Sequence, residues 1–139
     1  MLRRLLIAVL FALISSPVFA GGIAVVVNIH TQTMSVMVNG IDRYEWLVST
    51  GRKGYRTPVG TFRPTRMEAV YYSRKYDNAP MPYAIFFYGG FAIHGTEYVR
   101  SLGGPVSHGC VRLHPSNAAL LYSLVQRYGP ENTVIRIEG

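Results

Sequence analysis

Apolar positions along the chain fall into short alternating or β-branched runs, separated by clusters of Gly, Pro, Asn and Asp. Ile23 to Ile29 is a β-branched run, and Met34 to Val38 and Ile41 to Ser49 flank Asn39-Gly40. Asn-Gly between two such runs predicts a hairpin, because both residues tolerate the positive φ of a type I′ turn. Gly51, Gly54, Pro58 and Gly60 predict a loop, and Thr61 to Tyr72 an extended or irregular strand. Asp77 to Pro82 breaks the chain before an aromatic strand over Tyr83 to Tyr88, and Gly89-Gly90 turns it into Phe91 to His94. After Gly103-Gly104-Pro105, Cys110 to Leu113 reads as a short strand. Pro115 suits the first turn of a helix carrying Ala118, Leu121, Leu124 and Val125 on one face, with Gly129-Pro130 as its stop. Thr133 to Ile137 is the last strand. The pattern predicts a single, mainly β domain with one helix in its C-terminal half. Trp46 is expected in the core, and Tyr71, Tyr72, Tyr76 and Tyr83 in either the core or a cleft.

The first twenty residues follow a different pattern. Arg3 and Arg4 precede an unbroken apolar run, Leu5 to Ile14, and Val18-Phe19-Ala20 places small residues before a cleavage point. Residues 1–20 are therefore expected to be a Sec-type signal peptide cleaved after Ala20, leaving residues 21–139 as the folded domain. The run is about half of the roughly 20 residues that a bilayer requires. The expected product is exported to the periplasm or another extracytoplasmic space, without a stable membrane anchor.

Length and composition narrow the choice further. A chain of 139 residues that is 49% hydrophobic and 15% charged has room for one modest domain and is too apolar to be disordered. Its 14 Lys+Arg against 7 Asp+Glu give a formal charge of +7. The positives form no run of five and no nucleic-acid motif, so no nucleic-acid partner is expected; an anionic surface or an acidic substrate fits better. A single Cys closes no intramolecular disulfide and supplies no structural thiolate zinc cage.

Chemistry-bearing residues concentrate between His94 and His114. Ser107-His-Gly-Cys-Val-Arg-Leu113 packs a thiol, an imidazole, a guanidinium and a glycine into seven residues. If this stretch is extended, its period of two puts His108, Cys110, Arg112 and His114 on one face and turns Val111 and Leu113 to the core. A thiol is a weak nucleophile at neutral pH until a neighbour lowers its pKa or takes its proton, so Cys110 needs a histidine nearby. His94, His108 and His114 are candidates. The N–H groups of Gly109 and Cys110 are candidate oxyanion donors. His94, His108, Cys110 and His114 are also zinc-competent types, but their spacing fits no common zinc signature.

Ile93-His-Gly-Thr96 followed by Ser107-His-Gly-Cys-Val-Arg-Leu113 resembles the signature of the L,D-transpeptidase family, the YkuD-type catalytic domain that acts on bacterial peptidoglycan. Thr57-Pro-Val-Gly-Thr-Phe62 is similar to the family's Thr-Pro-x-Gly-x-Phe segment, and the resemblance spans nearly all of residues 21–139. It implies a YkuD-like β-sandwich or barrel, with Cys110 as nucleophile and His94 as general base, oriented by a backbone carbonyl at Gly95. It further implies that His108 lines the pocket and joins Gly109 and Cys110 in an oxyanion hole, and that Ser107 holds the loop. Arg112 stands where one branch of the family has Asn, and its planar fork of donors suits a substrate carboxylate. The implied reaction forms a thioester between Cys110 and the third residue of a peptidoglycan stem peptide, with release of the terminal D-alanine. The acceptor is then an amine of a second stem, an amine of a protein such as an outer-membrane protein, or water, which makes an L,D-carboxypeptidase. The resemblance implies no cofactor and no metal.

Overall fold

The computed structural model describes residues 21–139; the expected signal peptide, residues 1–20, lies outside the described residues. Ile23–Asn28 forms β1, Thr33–Val38 β2 and Ile41–Leu47 β3. Asn39 (φ 53°) and Gly40 (φ 77°) take the left-handed backbone that a type I′ turn needs at both central residues. With β4 (Gly60–Phe62) and β11 (Thr133–Glu138), these strands build a five-stranded sheet in the order β3-β2-β1-β11-β4. β1 pairs in parallel with β11, Ile23 opposite Thr133, so the two ends of the domain meet at the middle of this sheet. Alternation in β1 buries Ile23, Val25 and Val27 and leaves Ala24, Val26 and Asn28 half-buried on the other face.

β3 behaves differently because it is an edge strand. Most of it is exposed, and Trp46 is half-buried against the core, not enclosed in it as its apolar bulk suggested.

The second sheet holds β5 (Arg66–Glu68), β8 (Ala84–Tyr88), β9 (Phe91–Gly95) and β10 (Val111–Leu113), in the order β10-β9-β8-β5. The extended stretch expected over Thr61 to Tyr72 is split: β4 belongs to the first sheet and β5 to the second. Pro64 sits between them and has no N–H to continue a ladder, which favours the change of sheet there. Two short strands, β6 (Tyr72–Ser73) and β7 (Ala79–Pro80), pair as a separate hairpin. Asp77 (φ 51°) and Asn78 (φ 54°) turn it in left-handed backbone, which Asp and Asn accept more readily than other side chains.

One core joins both sheets and the helix α1 (Pro115–Tyr128): Val25, Met34 and Ile135 meet Ile85, Ile93, Val111 and Leu113, and Leu121 and Val125. The helix starts where expected. Pro115 fills its first turn, and the His114 side chain caps it by accepting from the Ser116 N–H at 3.2 Å. It ends at Gly129 (φ 95°), whose N–H donates to the Val125 carbonyl at 2.8 Å. Ala118, Leu121, Tyr122 and Val125 are buried at helical spacing, while Leu124 is only half-buried. Full burial of Leu121 stabilises the fold by roughly 1.5–3 kcal/mol. The helix lies against β9 at Gly95, where a Cβ would sit 3.2 Å from the Pro115 Cα and 3.1 Å from the Pro82 Cγ. Among the described residues no helix is long and apolar enough to cross a membrane.

Candidate active site

β9 and β10 bring the chemistry together. They pair in parallel with Arg112 opposite His94 and Leu113 opposite Gly95. Residues opposite one another share a face, and Cys110 precedes Arg112 by two, so His94, Arg112 and Cys110 are presented on the same side. Val111 and Leu113 point the other way and are fully buried. The period-of-two expectation groups His108, Cys110 and Arg112 in one cleft but fails at His114. The strand begins only at Val111, so His108 approaches from the preceding bend, and His114 has left the strand to cap α1. A cleft of about 560 Å³ is lined by His94, His108, Cys110 and Arg112, with Glu97 and Tyr98 among the remaining wall residues.

The loop carrying Cys110 is held by two hydroxyls. Ser107 Oγ donates to the Cys110 carbonyl at 2.6 Å and accepts from the Gly109 N–H at 3.0 Å. Thr57 Oγ1 donates to the Gly109 carbonyl at 2.8 Å and accepts from the Gly51 N–H at 2.9 Å. Ser107 therefore has the loop-holding role expected of it. The expectation that Gly109 offers an oxyanion donor is corrected: its N–H is already taken by Ser107. Gly109 is needed for its backbone, since φ is +118° and a Cβ would lie 2.6 Å from Phe91 Cε1. Gly109→Ala is expected to destabilise the domain by about 1–3 kcal/mol and to displace Cys110; a lowered thermal midpoint and slower thiol acylation check this.

His94 is 6% exposed, and its Nδ1 lies 2.7 Å from the Gly95 carbonyl oxygen. A carbonyl only accepts, so Nδ1 carries the proton and the Nε2 lone pair remains as the acceptor. Burial pulls the His94 pKa down to about 4; the Gly95 hydrogen bond opposes this and the Arg112 cation adds to it. Burial also pushes the Cys110 thiol upward, against the Ala92 backbone hydrogen bond and the Arg112 charge, which favour the thiolate. Both shifts favour the neutral forms, so at rest the cleft holds a neutral thiol and a neutral imidazole. Arg112, half-buried and shifted downward mainly by burial, remains a cation throughout.

The depressed His94 pKa has a consequence for stability. From pH 6.5 down to about 4 the unfolded chain takes up a proton that native His94 refuses, so this contribution is complete above pH 6.5 and is lost as pH falls through that window. Its size is on the order of 3 kcal/mol. Urea unfolding at pH 7 and pH 4.5 should show a larger acid loss for the wild type than for His94→Gln.

His108 is clamped at the rim of the cleft. Tyr76 stacks on its ring at 4.2 Å and 8°, Tyr55 meets it edge-on at 4.9 Å, and Arg52 Nη2 lies 3.2 Å from Nε2. Burial and the Arg52 and Arg112 charges lower its pKa. Of the four tyrosines left open between core and cleft, Tyr76 lines the cleft and Tyr71 packs on Phe86, while Tyr72 and Tyr83 are exposed.

Residues 22–137 match the YkuD family, the L,D-transpeptidase catalytic domain. The chain belongs to the YkuD family. This YkuD domain is 29% identical over 114 residues to YqjB of Bacillus subtilis, a match covering 73% of this chain and 65% of YqjB. An L,D-transpeptidase from Mycobacterium smegmatis superposes with a TM-score of 0.75 at 27% identity, over 86% of this chain and 59% of that one. LdtMt1, solved in complex with imipenem, superposes with a TM-score of 0.73 at 26% identity, over 85% and 59% of the two chains. The YkuD domain thus spans less than two thirds of the length of each of these proteins.

Within the YkuD domain, Cys110, His94, His108 and Arg112 share the cleft, with Gly95, Ser107 and Gly109 supporting them by backbone or hydroxyl. Glu97 lines the same cleft and does not orient His94, whose Nδ1 is already engaged by Gly95. Among the described residues no group of three or more His, Cys, Asp or Glu is placed to hold a metal ion. Thr57 and Tyr76 were absent from the expected site residues. Thr57 lies in the Thr-Pro-x-Gly-x-Phe segment, which was its signal; nothing in the sequence marked Tyr76 above the other tyrosines.

Proposed function

We propose that this domain is an exported cysteine L,D-transpeptidase that acts on peptidoglycan stem peptides. The observation that carries the reading is that the chain's one thiol and a buried, carbonyl-oriented imidazole line a single cleft whose wall also supplies a cation. In this scheme Arg112 grips a carboxylate of the donor peptide and brings the carbonyl of its third residue to Cys110. As Sγ attacks, His94 Nε2 takes the thiol proton, and the oxyanion that forms is met by the Cys110 N–H and its His108 neighbour. The imidazolium then gives the proton to the departing D-alanine amine, leaving a thioester. An incoming amine attacks that thioester, restoring the thiol and forming a new amide. No ATP is consumed because the thioester keeps the energy of the broken bond, which suits a space outside the cytoplasm.

Family membership and the resemblance to LdtMt1 with its carbapenem ligand support this reading. Incubating the purified protein with a stem tetrapeptide and weighing the products tests it. Release of D-alanine is expected, with a cross-linked dimer if an amine accepts and a free tripeptide if water does. An unchanged tetrapeptide overturns the proposal.

A further inference from the structure

We infer that the domain has a second site, for N-acetylated amino sugars, between the end of β3, the turn at residues 99–102 and the start of α1. The inference rests on the peptidoglycan reading above for its ligand class. The cavity there measures about 470 Å³, within the range of small-ligand sites. Trp46, Leu47, Val99 and Leu102 supply apolar groups to its lining, and Glu45, beside Trp46 on β3, and Asn117, in the first turn of α1, supply planar polar groups. Ser116 and His114 complete the lining.

This mixture matches a pyranose ring, which has a C–H face that packs on an indole and a rim of hydroxyls that need both donors and acceptors. Tyr44 stacks on Trp46 at 5.2 Å and 23°, which braces the indole to receive such a ring. Leu47 (55% exposed) and Val99 (41%) remain open to receive the methyl of an acetamido group. Glu45 accepts from hydroxyls and Asn117 both donates and accepts. The ion pair among the described residues joins Arg136 to Glu138, so Glu45 is not spent on a cation.

Position supports the same ligand. The segment from Thr96 to Leu102 walls both cavities, with Glu97 and Tyr98 on the catalytic side and Val99 and Leu102 on the other. Cys110 lines the first cavity and His114 the second, four residues apart, so at most roughly 13 Å of chain separates them. Three extended stem residues cover about 10 Å, and the amino sugar that bears the stem lies just beyond them. A donor whose third residue sits at Cys110 therefore carries its sugar on the scale of the distance between the two cavities.

Trp46 is the chain's one tryptophan, so its fluorescence reports on this cavity alone. Titration with chitotetraose, a tetramer of N-acetylglucosamine, is expected to shift the Trp46 emission saturably. Glu45→Gln and Asn117→Ala, each checked for native circular dichroism, should weaken that binding about tenfold, the loss of roughly one good hydrogen bond. A disaccharide-linked tetrapeptide should have a KM about tenfold below that of the free tetrapeptide, and the ratio should fall toward one in both variants with kcat on the free peptide unchanged. No emission shift in the wild type, or equal shifts in the wild type and both variants, overturns the sugar site. If neither peptide is turned over, the transpeptidase reading fails, and the fluorescence titration still decides the site.

Discussion

Cys110→Ala is expected to abolish both D-alanine release and the mass gained on exposure to a carbapenem. Cys110 is the one cysteine in 139 residues, so a single thiol adduct in the wild type has only one origin. The substitution shortens a half-buried side chain on a loop that is held by Ser107 Oγ and Thr57 Oγ1 through backbone groups, and those contacts survive it. The fold should therefore persist while the chemistry disappears, and an unchanged circular dichroism spectrum is part of the expected result. Cys110→Ser sharpens the test. Serine keeps a nucleophile of similar shape, but a hydroxyl holds its proton far more tightly than a thiol, so the transfer to His94 becomes much harder. Acylation in Cys110→Ser should fall by at least about 10³, within the range of about 10²–10⁴ that a positioned general base usually contributes. A serine variant with near wild-type acylation would show that thiol chemistry is not what the cleft supplies.

Much of this arrangement is legible in the sequence, and what escapes has a physical cause. The Asn39-Gly40 hairpin, the α1 limits at Pro115 and Gly129, and the strand at Ile23–Asn28 follow from local rules of backbone and side-chain geometry. Pairing between distant segments obeys no local rule. Nothing in Ile23–Asn28 announces that it lies parallel to Thr133–Glu138, and nothing in the Thr61 to Tyr72 stretch says that it is divided between two sheets. The exposed position of β3 belongs to its place at a sheet edge, which is why Trp46 is less enclosed than its bulk suggests.

At the site, the period of two correctly grouped Cys110 with Arg112, because those two flank one residue of real strand. It overreached at His114, where a helix cap ends the extended backbone, while His108 reaches the same cleft from the bend that precedes the strand. The donor expected at Gly109 failed for a related reason: whether an N–H is free depends on which side chain folds back on it, and Ser107 does so from two residues away. Thr57 reaches Gly109 across 52 positions of sequence, a contact that only the tertiary fold creates.

His94→Ala is expected to reduce acylation by a carbapenem or by the stem tetrapeptide by about 10²–10⁴, the usual contribution of a positioned general base. The same variant should leave iodoacetamide alkylation of Cys110 at pH 7 nearly unchanged. The two outcomes separate because the resting pair is neutral. An imidazole with a pKa of about 4 does not ionise a thiol that burial has pushed upward, so His94 creates no standing thiolate for an alkylating agent to find. Its basicity becomes useful only during attack on a carbonyl, when the negative charge developing on oxygen stabilises the imidazolium that forms. A carboxylate bound at Arg112 acts in the same direction, since it cancels the cation that helps to hold His94 down. Alkylation of the wild type should accordingly be slow at neutral pH and rise through pH 9 and beyond. Acylation should stay level down to about pH 5 and fall as His94 is protonated near pH 4. A preformed thiolate–imidazolium pair has the opposite signature: an alkylation plateau reaching below pH 7 that vanishes in His94→Ala. Finding that plateau would overturn the neutral-pair mechanism while leaving both residues in the site.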